Sequence, residues 1–96
     1  MKEIKAGMLA VSLAGHDKGV LYYIVKADED TLWLSDGRLK PLEAPKKKNV
    51  KHIQVISHIP SELIPAEPIT NESVKRMIRL YRSLGGLECQ KQMLLK

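Results

Sequence analysis

Three consecutive polar residues, His16, Asp17 and Lys18, stand between Gly15 and Gly19 in the stretch LAGHDKGVLYYIV. An imidazole beside a carboxylate could serve as a general base, and a glycine-flanked lysine could cradle a phosphate. Neither chemistry is complete. Neighbours in sequence rarely face each other, and no candidate nucleophile or oxyanion site accompanies the pair. A Walker-type phosphate loop needs four residues between its glycines, followed by Lys and then Ser or Thr, and GHDKG lacks that spacing. Asp28, Glu29 and Asp30 could offer oxygens to a hard cation. A calcium loop needs further ligands at set intervals, so a solvated turn is the simpler expectation. Cys89 is the only cysteine, which excludes an internal disulfide, and no Cys/His pair has zinc spacing. It reads as a small apolar residue. The sequence therefore predicts no enzyme, no metal and no cofactor.

Charge is more informative. Arg38, Lys40, Lys46, Lys47, Lys48 and Lys51 lie within residues 38–52 against one acid, Glu43, and this local surplus equals the net charge of +5 of the whole chain. A concentrated surplus favours an acidic partner, either nucleic acid or an anionic membrane surface. The run APKKKNVKH falls between two predicted strands. Its lysines are therefore expected on a loop that can follow a phosphate backbone. His16 and His52 could add contacts or stack on bases. The competing reading is a solvated run that protects an edge strand from aggregation. Lys75, Arg76, Arg79 and Arg82 form the basic side of a predicted helix, which suits plain solvation or a nucleic-acid contact. A membrane-surface helix would want Trp and Phe on its apolar side. Trp33 could be a stacking platform or a half-buried packing residue.

The elements that must position these residues are short. Hydrophobic residues make up 44% of the 96 and Phe is absent, so a modest core must rest on Leu, Ile and Val. Residues 8–13 (MLAVSL), 20–26 (VLYYIVK) and 31–36 (TLWLSD) have strand composition or alternation, with Leu32 and Leu34 opposite Trp33. Asp36-Gly37 is a hairpin signal leading to 39–43 (LKPLE), where Pro41 argues for an edge strand. Residues 50–56 (VKHIQVI) make a fifth strand. This spacing predicts a small antiparallel barrel or open sandwich. Pro60, Pro65 and Pro68 mark an extended connector. A helix follows, capped by Thr70 or Asn71, with Val74, Met77, Ile78 and Tyr81 as one apolar stripe and Gly85 and Gly86 as its stop. The predicted organisation is a barrel over 1–58, a linker over 59–70, and a helix with tail over 71–96. The interrupted N-terminal apolar run is a poor signal peptide, and no stretch approaches the roughly 20 apolar residues of a membrane helix. With a lone cysteine, a reducing cytoplasm is the expected compartment.

The stretch GMLAVSLAGHDKGVLYYIVKADED resembles a KOW motif, the strand–loop–strand unit of several ribosomal proteins and NusG-type transcription factors. The matching features are Gly7, the alternation into Val11, the loop AGHDKG, and an apolar strand running into an acidic turn. The basic run after DGRLKPLEAPKKK extends the likeness over residues 4–56. Many KOW motifs carry a third glycine three positions beyond the one matching Gly19; here that position is Tyr22. The chain as a whole looks like the small bacterial KOW-domain RNA-binding proteins, which are related to a large-subunit ribosomal protein. The resemblance implies an SH3-like five-stranded barrel whose loop meets RNA, ribosomal RNA above all. Gly15 and Gly19 would permit the turn and a close backbone approach, Lys18 would meet a phosphate, and His16 a phosphate or base. Asp17 would brace the loop by bonding its backbone. Because SH3-like barrels also bind proteins, an adaptor whose helix docks a partner is the alternative.

Overall fold

The computed structural model describes residues 4–56 and 58–84. Five strands form one antiparallel sheet: β1 (Leu9–Ser12), β2 (Leu21–Ala27), β3 (Thr31–Ser35), β4 (Lys46–Asn49) and β5 (Ile53–Ile56), in the order β4-β3-β2-β1-β5. One helix, α1 (Asn71–Ser83), follows. β4 and β5 are the two edges and are joined by a single 3-10 turn, Val50–His52. Among the described residues no ladder pairs them, so the sheet is open and does not close into a barrel.

Four of the five expected strands overlap observed ones, although the one expected over 50–56 is a strand only from Ile53, its first three residues forming the 3-10 turn. The exception is 39–43, which is not a strand. Pro41 has no amide hydrogen, and the neighbouring amides are engaged elsewhere: Leu42 N donates to Asn71 Oδ1 at 2.7 Å and Ala44 N to the Pro41 carbonyl at 3.0 Å. The fourth strand is instead Lys46–Asn49, the run expected as a loop. It pairs with β3 through Lys46↔Leu34, Lys47↔Trp33 and Lys48↔Leu32. As an edge strand it needs only one ladder, and lysine is a favoured residue there.

The sheet buries both faces. On one, Leu9, Val11, Leu21, Tyr23 and Ile56 meet Val74, Met77 and Ile78 of α1. On the other, Ala10, Tyr22, Ile24, Leu32, Leu34 and Ile53 pack together. An isolated 13-residue helix is marginal in water. Burial of Val74, Met77 and Ile78, each favourable by about 1.5–3 kcal/mol, holds it on the sheet. Thr70 caps it: Thr70 Oγ1 accepts from Ser73 N at 3.1 Å, and Ser73 Oγ accepts from Thr70 N at 2.8 Å. Asn71 has another role, because its amide also donates to the Glu43 carboxylate and so clasps the 41–44 turn to the helix. The proline-rich segment is irregular, as expected, but docked. It contains one 3-10 turn, Ser61–Leu63, with Leu63 buried, and Ile59 and Ile69 pack on the helix-side core. The expected stop at Gly85 and Gly86, the tail and Cys89 lie outside the described residues.

Candidate nucleic-acid interface

The loop 13–19 closes tightly between β1 and β2. Gly15 and Gly19 both take left-handed φ, 88° and 89°, which a side chain would resist. Backbone bonds Lys18 N to Gly15 O and Gly19 N to Ser12 O hold the turn, and leave the His16 and Lys18 side chains exposed at its tip. Leu13 N donates to the His52 carbonyl, so the exposed His52 and Lys51 flank the base of this loop.

Asp17 braces the loop through side chains. Its carboxylate accepts from Ser12 Oγ (2.8 Å), Tyr22 OH (2.9 Å), Lys46 Nζ (2.8 Å) and Lys48 Nζ (2.8 Å). Lys48 Nζ also donates to the Ala14 carbonyl at 3.0 Å. Tyr22 is thus one of the four donors. Burial alone would push the Asp17 carboxyl up, but the lysines, the serine and the tyrosine outweigh it and hold it well below the usual carboxylate range. Tyr22 moves the opposite way. Burial raises its hydroxyl, and the hydrogen bond and charge of Asp17 raise it further.

This network changes the reading of the lysine run. Successive side chains of a strand point to opposite faces. Lys46 and Lys48 turn inward to Asp17, with side chains 31% and 11% exposed, while Lys47 turns outward and is exposed. The loop tip and the lysine run do come together, but through a carboxylate that cancels part of their charge. Two lysines share one carboxylate, and Lys46 is the more accessible of them.

Lys47 lies over Trp33, 5.8 Å from the ring centroid, and Lys26 lies over the same ring at 4.8 Å. Lys26 was absent from the expected contacts. Its place opposite Trp33 goes with a register shift between Ile24 and Lys26 that the sequence pattern does not announce.

The remaining basic residues converge elsewhere. Arg38 meets Lys75, Arg79 and Arg82 of α1 around a cavity of about 410 Å³ whose other lining residues are Val20, Leu21, Ile78 and Asp36. Asp36 is occupied locally, since its Oδ1 accepts from the amides of Arg38 (2.8 Å) and Lys40 (2.9 Å) and so fixes the turn that carries both residues. Lys75 pairs with Glu72 at 2.9 Å. Arg38, Arg79 and Arg82 have no carboxylate partner among the described residues. Close packing of Gly37 sets the cleft: a Cβ there would lie 2.5 Å from the Asn71 carbonyl and 2.8 Å from Lys75 Cγ. Only glycine lets the turn approach the helix this closely. Lys40 is exposed beyond the cleft.

Among the described residues no cluster of three or more His, Cys, Asp or Glu is placed to hold a metal ion, and no helix is long and apolar enough to cross a membrane. No family model and no curated protein matches this sequence.

Proposed function

We propose that this chain is a cytoplasmic RNA-binding protein, associated with the ribosome or ribosomal RNA, that grips the phosphate backbone by charge and shape. The observation that carries the reading is the cleft in which Arg38, Arg79 and Arg82 converge without a carboxylate partner among the described residues. Each guanidinium can fork onto two phosphate oxygens, and arginines left unpaired around a concavity fit a polyanion better than a self-contained surface. Val20 and Leu21, in the cleft wall, follow directly on the loop whose exposed tip carries His16 and Lys18. The KOW resemblance supports the same reading. We read the fold as SH3-like, with its five-stranded sheet open between the edges β4 and β5, on the support of the strand order and the short 3-10 link.

The test is the affinity for a ribosomal RNA stem-loop at several salt concentrations. The variant Arg38→Ala/Arg79→Ala/Arg82→Ala should bind weakly. Its slope of log affinity against log salt should shrink by about 2–3, because each phosphate left without its arginine removes about 0.7–0.9. Unchanged affinity and slope would reject the cleft as the RNA-binding surface. One observation favours a protein partner as the second reading. Leu39, beside Arg38, is 83% exposed at the tip of its turn. Partners that survive nuclease treatment and no longer bind Leu39→Ser would support that alternative.

A further inference from the structure

We infer that Lys26, Trp33 and Lys47 form a stacking site for one unpaired base of single-stranded RNA, an inference that rests on the RNA-binding reading above. Trp33 belongs to neither hydrophobic core. Its neighbours Leu32 and Leu34 are fully buried on one face of the sheet, while Trp33 is half-buried on the other. The three residues make one row across three strands, with Lys26 opposite Trp33 and Trp33 opposite Lys47.

The row depends on an irregularity. The register of β2 against β3 shifts between Ile24 and Lys26, so that Val25 is an extra residue. Without it Lys26 would share the face of Ile24 and point away from the tryptophan. The bulge re-aims Lys26 onto the ring. Neither lysine has a carboxylate partner among the described residues. Sheet residues are therefore arranged to place two cations, neither with a carboxylate partner among the described residues, around an aromatic ring one strand in from the β4 edge.

A lysine over an exposed ring is held weakly. A base stacked on the same ring is held more strongly, by about ten- to a hundredfold in affinity. A base can thus displace one ammonium from the ring, and the displaced lysine, on its flexible stem, is free to meet the adjoining phosphate. A duplex keeps its bases stacked on each other and offers none to the ring, so the site selects unpaired RNA. The occupant complements the cleft: arginines for backbone, tryptophan for a splayed base.

Trp33 is the only tryptophan, so its own emission reports the base stacking on it. The full chain is titrated with a uridine dodecamer, with a blunt RNA duplex of equal length, and with polyglutamate, while binding is followed in parallel by anisotropy. Saturable quenching is expected with the single strand and not with the duplex or the polypeptide. Trp33→Phe should keep most of the affinity, and Trp33→Ala should lose about ten- to a hundredfold. The double variant Lys26→Ala/Lys47→Ala should lower the salt slope by about 0.7, the one phosphate contact made by the displaced lysine. If the dodecamer binds without quenching, or Trp33→Ala binds it as well as wild type, the stacking site is refuted while RNA binding through the cleft stands. Equal quenching by polyglutamate would refute it in favour of charge alone. If no RNA binds at all, both readings fall. Should Trp33→Ala lose its circular-dichroism signature, the wild-type quench and Trp33→Phe decide.

Discussion

Lys47 and Lys48 are adjacent in the chain and opposite in use. Lys48 is turned inward, 11% exposed, and bonded to the Asp17 carboxylate and the Ala14 carbonyl. Lys47 is turned outward over Trp33, with no carboxylate partner among the described residues. One region uses lysine to hold the fold; the other keeps lysine available to a partner. What separates them is the two-residue period of a strand. A run of three lysines looks like one basic patch in sequence, yet only its middle member presents its charge fully outward. The Asp17 region also links what the backbone leaves unlinked. β4 is an edge strand, and its lysines reach the β1–β2 loop over the inner face, joining two parts of the open sheet through ion pairs.

The largest effect should come from removing the hub. Asp17→Ala leaves the inward Lys48 ammonium without its counter-charge and strips partners from Ser12 and Tyr22. Breaking a fully buried pair costs about 3–5 kcal/mol; this pair is part-buried, 11% exposed on each side, so the loss falls toward the lower end of that range, still a large share of the 5–15 kcal/mol typical of a whole domain. Urea denaturation checks it, and a loss near zero would mean that the Asp17 region does not hold the fold. The same carboxylate sets a pH dependence. Asp17 is held low in the folded state and returns to about 3.9 when unfolded. Its contribution is complete above that value and drains as pH falls below it. Tyr22 is raised, so its contribution is complete below about 10 and is lost as pH climbs past that. Asp17→Asn should flatten the acid limb of a stability profile recorded between pH 6 and 2.

Four strands and the helix are legible in the sequence because each carries β-branched alternation or a 3.6-residue stripe. β4 is not. Its inward residues are lysines, and what makes them tolerable inside is a carboxylate 29 and 31 residues away. The error at 39–43 has the reverse cause, since Leu39 and Leu42 supply a strand-like pattern whose amides are committed elsewhere. In the candidate site, the glycine-flanked loop and its exposed His16 and Lys18 can be read directly. Asp17 is expected to brace the loop by bonding its backbone; its carboxylate instead bonds side chains from three strands. Trp33 is legible as lying opposite Leu32 and Leu34. The bulge at Val25 that turns Lys26 toward it leaves no mark on hydropathy. Arg79 and Arg82 can be read as a basic helix side, whereas their meeting with Arg38 depends on how Gly37 packs.

A pair of substitutions one residue apart breaks or keeps the contrast between the two lysines. Lys48→Ala removes a charged hydrogen bond to Asp17 and one to Ala14, and should cost about 1.5–3 kcal/mol. Lys47→Ala touches a surface pair and should stay within about 0.5 kcal/mol of wild type. Urea midpoints measure both. Equal losses would mean that the pleat does not divide the run into structural and available lysines. Lys46→Ala should fall between the two, because its ammonium shares the same carboxylate from a more exposed position.

A loss smaller than those at Asp17 and Lys48 lies at the helix cap. Thr70→Ala removes the hydroxyl that accepts from Ser73 N and should cost about 1 kcal/mol. Its value is in combination. The helix rests on one face of the sheet and the Asp17 network lies on the other, and the two cores share no buried residue. Substitutions without common partners add to within about 0.3–0.5 kcal/mol. The double variant Thr70→Ala/Lys48→Ala should therefore lose the sum of the single losses. A larger loss would show that the two faces stabilise each other through the strands between them. An additive result would keep the helix and the Asp17 network energetically separate, each held to the sheet by its own contacts.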